Sequence, residues 1–257
     1  MTTATITLIG GPTALIELNG FRLLTDPTFD GPGEYALPHV TLKKTGNPAL
    51  SPDQIGPVDA VLLSHDQHSD NLDNSGRAFL QNAKRVLTTK AAAGRLEGAA
   101  RGLRPWETAE ILHENGGALE ITATPARHGP IGIEPLSGDV VGFVVSSETH
   151  AFEPLYITGD TVWFDGVAEV QRRFEPRLVL LFCGAAQTRG KFNLTMNAND
   201  AIEAAAAFAG AEIVPIHTDG WAHFTESGDD LEKAFRSLGH GERLRRIQPG
   251  VPAVFEV

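Results

Sequence analysis

Two imidazoles and three carboxylates crowd the short stretch His65-Asp66-Gln67-His68-Ser69-Asp70-Asn71-Leu72-Asp73, directly after the apolar run Val61-Leu62-Leu63. Imidazole nitrogen and carboxylate oxygen are the donors that zinc, manganese and iron accept, and a turn leaving a rigid strand can aim several of them at one point. The competing reading of the segment is a polar loop in which Asp73 and Asn74 cap the helix that follows. Three further polar residues stand shortly after expected strands: His128 after Leu119–Thr124, Asp160 after Leu155–Thr158, and His217 after Glu212–Ile216. Each alone reads as an ordinary strand-end residue. Taken together with the His65 segment they supply about six donors, enough for two metal ions, provided the strand ends converge on one edge of the fold.

The elements that must position these residues follow from periodicity. Thr3–Ile9 alternates apolar and polar residues as a half-buried strand does, and Ala14–Leu18 and Phe21–Thr25 continue a meander through an Asn19-Gly20 turn. Val58–Leu63 reads as a buried strand, Asn74–Gln81 and Ala91–Glu97 as helices, and Leu119–Thr124, Val140–Ser146, Leu155–Thr158, Leu178–Phe182 and Glu212–Ile216 as a second series of strands. Ala198–Phe208 and Asp229–Leu238 carry the clearest helical patterns. Strands in two sets with helices between and after them predict an α/β architecture: two mixed sheets face to face with helices outside, as one domain over residues 1–257 without a marked linker. The Gly- and Pro-containing stretch Thr28–Lys44 is taken as a plain surface loop, with a cover over the site or a subunit contact as the alternatives.

Composition narrows the function classes. With 42% hydrophobic residues in 257, the chain can bury a sizeable core. Its 21 Lys and Arg against 32 Asp and Glu give a formal net charge of −11, which argues against a nucleic-acid partner. Cys183 follows Leu178-Val179-Leu180-Leu181-Phe182 and is expected as a buried small hydrophobe; as the single cysteine it permits no intrachain disulfide. The sequence shows neither a signal peptide nor an apolar run long enough to span a membrane, so a soluble, cytoplasmic protein acting on a small molecule is expected, without nucleic-acid or membrane partners; a homo-oligomer is compatible with the sequence.

Leu24-Thr25-Asp26-Pro27, the His65–Asp73 segment, Pro125-Ala126-Arg127-His128, Ile157-Thr158-Gly159-Asp160 and Val214-Pro215-Ile216-His217 resemble, in order, the motifs of the metallo-β-lactamase superfamily. The similarity is greatest to the branch containing ascorbate-6-phosphate lactonase and N-acyl phosphatidylethanolamine phospholipase D. That branch often reads Ser-His-x-His-x-Asp-His-Leu-Asp; here the segment is one residue longer and Asn71 stands at the last His. Counting from different ends leaves Asp66, Gln67 or His68 as the partner of His65, and His68 is preferred because a surface turn absorbs an extra residue more readily than a core.

The resemblance implies a four-layer αββα sandwich, a first metal held by His65, His68 and His128, a second by Asp70 and His217, and Asp160 bridging the two. Zinc is the first choice, with manganese or iron as alternatives; Asn71 weakens the second position, and Asp66 could compensate. Asp26 is expected to orient a ligand histidine. His223 is either a group that reaches substrate or metal, or an exposed loop residue beside Trp221 and Phe224. The implied chemistry is hydrolysis of an ester, lactone, amide or phosphodiester by metal-bound hydroxide, with Asp70 handling the proton. A non-catalytic metal-binding protein is the main rival. A di-iron oxidoreductase is a second rival, disfavoured by the lack of a dinucleotide fingerprint or room for a flavin domain. Arg127, Arg189 and Lys191 are read as solvated charges unless their loops face the metals.

Overall fold

A computed structural model describes residues 2–37, 40–98, 100–114 and 116–257. The chain opens with the meander β1 (Thr3–Gly10), β2 (Thr13–Leu18) and β3 (Phe21–Thr25), in which Ile6 faces Ile16 and Ile16 faces Leu23 across antiparallel pairs. The β2–β3 turn is made by Asn19 and Gly20 with φ of 50° and 85°, the left-handed pair that a two-residue hairpin of this twist requires. Next come the hairpin β4 (Gly33–Leu37) and β5 (Val40–Lys44), then α1 (Pro52–Ile55), β6 (Ala60–Leu62), α2 (Asn74–Phe79), β7 (Val86–Thr89), α3 (Lys90–Leu96) and β8 (Ala100–Leu103). The second half holds β9 (Thr108–Leu112), β10 (Ala118–Pro125), α4 (Glu134–Ser137), β11 (Val141–Ser146), β12 (Leu155–Ile157), α5 (Asp165–Phe174), β13 (Leu178–Phe182), α6 (Ala198–Ala207), β14 (Glu212–Ile216), α7 (Gly228–Ser237) and β15 (Ala253–Glu256).

Apart from the separate β4–β5 hairpin, these strands form two mixed sheets, ordered β15-β1-β2-β3-β6-β7-β8 and β14-β13-β12-β11-β10-β9. Side-chain alternation assigns each face a partner. Along β13, Leu178, Leu180 and Phe182 enter the core between the sheets, joined there by Ile6, Leu62 and Leu87 of the first sheet. Val179 and Leu181 point the other way, packing with Val167 and Val170 of α5, Ala204 of α6 and Leu231 of α7. On the outer face of the first sheet, Leu24, Val61 and Val86 pack with Ile55 of α1 and Phe79 of α2. Helix, sheet, sheet and helix layers follow from strands apolar on both faces, which need cover on each side. Cys183 is fully buried on the helix-covered face, where burial pushes its thiol up, as a small hydrophobe there should behave.

Two expectations need correction. Thr28–Lys44 is not a plain loop, because Gly33–Leu37 pairs with Val40–Lys44 as the β4–β5 hairpin, with Tyr35 opposite Leu42. The strands also do not divide by halves: β15 crosses back to pair with β1, Ala4 facing Phe255, and so completes the first sheet. Among the described residues no helix is long and apolar enough to cross a membrane.

Candidate metal centre

Parallel pairing sets where the polar residues emerge. β3 runs parallel to β6, β12 to β13 and β13 to β14, while two antiparallel steps through β11 turn β10 the same way as β12. The segments that leave β3, β6, β10, β12 and β14 carry Asp26, His65, His128, Asp160 and His217, all with 5% or less of their surface exposed. The turn after β6 adds Asp70, also buried, and His68, partly exposed.

All six residues singled out as ligands come together, in two adjoining groups: His65, His68 and His128, and Asp70, Asp160 and His217, with the donor atoms of each group within 4.8 Å of one another. His68 Nδ1 lies 2.9 Å from His65 Nε2 and 3.2 Å from His128 Nε2. His128 is oriented by Nδ1, which donates to the Leu194 carbonyl at 2.9 Å, so its Nε2 presents a lone pair inward. The two oxygens of Asp160 face different groups: Oδ2 is 3.7 Å from His128 Nε2, and Oδ1 is 3.5 Å from His217 Nε2. Asp70 Oδ2 stands 3.8 Å from His217 Nε2, and both ring nitrogens of His217 are buried without a hydrogen-bond partner.

A sequence profile described as the beta-lactamase superfamily domain matches residues 21–218. The chain belongs to this family. The UPF0173 protein YddR of Bacillus subtilis is 27% identical over 261 residues, covering 97% of this chain and 99% of that protein. A UPF0173 metal-dependent hydrolase of Methanosarcina barkeri is 24% identical over 199 residues, covering 74% of this chain and 79% of its own. A possible metal-dependent hydrolase from Veillonella parvula superposes with a TM-score of 0.83 at 19% identity over 97% of this chain and 98% of that one. Isothiocyanate hydrolase from Delia radicum gut bacteria does so at 0.82 with 22% identity over 98% and 100%. The shared architecture is the metallo-β-lactamase fold, two sheets flanked by helices.

Within this metallo-β-lactamase fold the donor set fits divalent cations. Ligand atoms bound at about 2.0–2.2 Å to one tetrahedral ion stand on the order of 3.3 Å apart, and the inward atoms here are spaced 2.9 and 3.2 Å in the first group, 3.5 and 3.8 Å in the second, and 3.7 Å from His128 to Asp160 between them. Buried polar atoms are normally satisfied, so the bare nitrogens of His217 and the bare Oδ1 atoms of Asp70 and Asn71 mark a place for a ligand.

Burial dominates the electrostatics. It pushes His128 and His217 down to about 3, holds His65 well below its ordinary value and lowers His68, leaving the imidazoles neutral as metal binding requires. Burial, with the Asp70 and Asp26 charges next, raises Asp160 well above the usual carboxylate range; burial raises Asp26 likewise, against the bonds it receives from Ser64. Burial would raise Asp70 as well. The hydrogen bond from His223 opposes it, and together with the summed pull of the His223, His217 and His68 rings it brings Asp70 below the usual range. Two of the residues also hold left-handed backbone, Asp26 at φ 25° and His217 at φ 60°, a strain that recurs at functional sites.

The side chains of Asp66, Gln67 and His68 point in different directions. Asp66 turns away from the second group to an ion pair with Arg95 of α3, whose Nε lies 3.0 Å from Oδ2. Gln67 donates to the Ser137 carbonyl at 3.1 Å. His68 alone of the three faces His65, the extra residue being absorbed between them. Asp26 reaches His65 only through Ser64: Oδ1 accepts from the Ser64 amide at 2.7 Å, and Ser64 Oγ lies 2.9 Å from His65 Nδ1. Asp73 caps α2, accepting from the Gly76 amide, whereas Asn74 is already the first helical residue. Asn71 is fully buried, its Nδ2 donating to Asp160 Oδ1 at 3.2 Å.

His223 enters the site, its Nε2 2.9 Å from Asp70 Oδ2. Its place a few residues beyond His217 was the signal in the sequence, while the neighbouring aromatics Trp221 and Phe224 belonged to the alternative of an exposed loop residue. A small cleft opens beside His68, Asp70, His128 and His223, lined by Leu37, Val40, Leu42, Ile133, Leu136 and Leu194. Arg189 also lines it, Lys191 is exposed and does not, and Arg127 stacks 4.7 Å from the Phe164 ring, outside this cleft.

Proposed function

We propose that the protein is a metal-dependent hydrolase acting on a compact molecule that carries an apolar group next to an ester, lactone, amide or phosphodiester centre. The convergence of His65 Nε2, His68 Nδ1 and His128 Nε2 beside Asp70, Asp160 and His217 carries this reading. The three histidines of the first group would hold one cation and Asp70 and His217 a second, with Asp160 available to both. Zinc is the preferred ion, since nitrogen and carboxylate donors at tetrahedral spacing suit it, with manganese or iron as alternatives. Bound there, a divalent cation activates water near neutral pH and polarises the scissile oxygen.

The remaining work belongs to the chain. His128, fixed by the Leu194 carbonyl, and His65, fixed by Ser64 and behind it Asp26, keep their donor atoms pointed inward. Asp70, held ionised, accepts the proton of the attacking water at its unpartnered Oδ1. The cleft beside them takes the apolar part of the substrate, and Arg189 at its edge favours a substrate with negative charge on the opposite end.

Metal analysis of the purified chain, paired with a screen of lactones, esters and phosphodiesters before and after chelation, tests the reading. The expected result is bound divalent metal, turnover lost on chelation and regained with zinc or manganese, and loss of both in His68→Ala. Turnover that survives exhaustive chelation with no metal bound rejects it. Bound metal without turnover on any substrate class favours a non-catalytic metal-binding protein.

A further inference from the structure

Asn71 gives the second cation position an amide where the superfamily motif has an imidazole: its Nδ2 donates to Asp160 Oδ1, and its unpartnered Oδ1 is a neutral oxygen, a weaker donor to zinc than imidazole nitrogen. The position would then hold one nitrogen donor, His217, against the carboxylates of Asp70 and Asp160. His223 is the imidazole that stands nearby. Its Nε2 lies 2.9 Å from Asp70 Oδ2, the same oxygen that stands 3.8 Å from His217 Nε2, so two ring nitrogens from one loop flank a single carboxylate oxygen.

The ring is held there rather than swinging in solvent. Its side chain is 9% exposed, it meets the Phe224 ring edge-on at 4.7 Å with Trp221 on its other side at 6.0 Å, and its carbonyl accepts from the Gln187 amide at 3.0 Å. Its Nδ1 is buried with no partner. His223 lies beyond the matched residues 21–218, so the family motif assigns it nothing.

We propose that His223 Nε2 is a nitrogen donor to the second cation, supplying the imidazole that Asn71 does not. The inference rests on the metal-site reading above. With His223, the set of two imidazoles and two carboxylates is one that zinc accepts, and the proton now shared between His223 Nε2 and Asp70 Oδ2 is the one that binding would release.

Zinc titration of the chelator-stripped full chain tests this, followed by calorimetry and by NMR of histidine ring nitrogens, with His223 assigned through its contact with the Phe224 ring. Two zinc ions are expected per chain, with His223 Nε2 changing from protonated to metal-bound on the second equivalent. His223→Gln and His223→Ala are expected to lower the second affinity by about 100-fold or more, beyond the loss typical of a residue that only orients a ligand, while the first stays within about twofold. A second zinc that binds while Nε2 remains protonated, variants that bind both ions as wild type does, or a wild type that takes only one ion each overturns the inference and leaves the first site standing. A wild type that binds no zinc overturns the metal-site reading and this inference with it. The wild-type spectrum decides the matter even if a variant fails to fold.

Discussion

Lys44 Nζ lies 2.9 Å from Asp73 Oδ2, with both side chains almost completely shielded from water. The pair joins the end of the β4–β5 hairpin to the cap of α2, and Asp73 also accepts from the amides of Phe29 at 2.9 Å, Asp30 at 2.7 Å and Gly76 at 2.8 Å. One carboxylate therefore closes the His65–Asp73 turn and anchors the hairpin that walls the cleft. Removing one member of a buried ion pair leaves the other charge uncompensated, at a cost of about 3–5 kcal/mol. Asp73→Ala is expected to lower the melting temperature by about 10 °C. A thermal melt within about 2 °C of wild type contradicts this account.

Gly159 sits between Thr158 and Asp160 at φ 61°, where a Cβ would meet the Val141 carbonyl oxygen at 2.6 Å and Ser64 Cβ at 2.9 Å. Both the backbone and the Ser64 support of His65 would have to shift. Gly159→Ala is expected to destabilise by about 1–3 kcal/mol and to weaken zinc binding more than an equally destabilising change far from the site. Denaturant melts and zinc titration on the same samples separate the two effects, and unchanged zinc affinity argues that Asp160 and His65 do not depend on this approach.

His128 and His217 are expected to stay neutral in the chelated protein at pH 5, where an unperturbed histidine of pKa 6.5 is mostly protonated, because burial pushes both down to about 3. The sign follows from the lowered folded value. The unfolded chain takes up protons first, so the stability each histidine contributes is whole above pH 6.5 and is lost as pH falls toward 3, by about 1.4 kcal/mol per pH unit. Asp160 and Asp26, raised by burial, work in the opposite direction, so the residue-level NMR titration is the decisive measurement. Midpoints near 6.5 for either ring would contradict the burial account.

Leu136 lines the cleft with 54% of its surface still exposed, so a charge there should cost little folding stability. If the cleft holds an apolar substrate group, Leu136→Asp raises KM for substrates bearing one by about tenfold, with kcat nearly unchanged. An equal effect on substrates lacking such a group would place the apolar moiety elsewhere.

Much of this was legible in the residues. β13 and β14 begin and end where the apolar runs do, since strands buried on both faces leave continuous hydrophobic sequence. The six converging donors stood out because each follows such a strand. What stayed hidden depends on distant partners. His68 is preferred over Asp66 on the sequence, but only the pairing of Asp66 with Arg95 removes the alternative. The β4–β5 hairpin has apolar residues on one side only because it lies over the cleft, and its Gly and Pro residues read as loop. His223 meets Asp70 across a separation of 153 residues that no local pattern encodes. β15 is short and half exposed, with only Phe255 fully buried along it, so its pairing with β1 left a weak trace.

The six donor residues come from both sheets, His65, His68 and Asp70 from the β6 end and His128, Asp160 and His217 from β10, β12 and β14. No hairpin or helix pair contains a whole group, so neither sheet alone can assemble one. Their formation closes loops that run from residue 65 to residue 128 and from residue 70 to residue 217, contacts of high order that form slowly. Cation uptake during refolding is therefore expected to lag the burial of either sheet, so that its appearance would time the docking of one sheet onto the other.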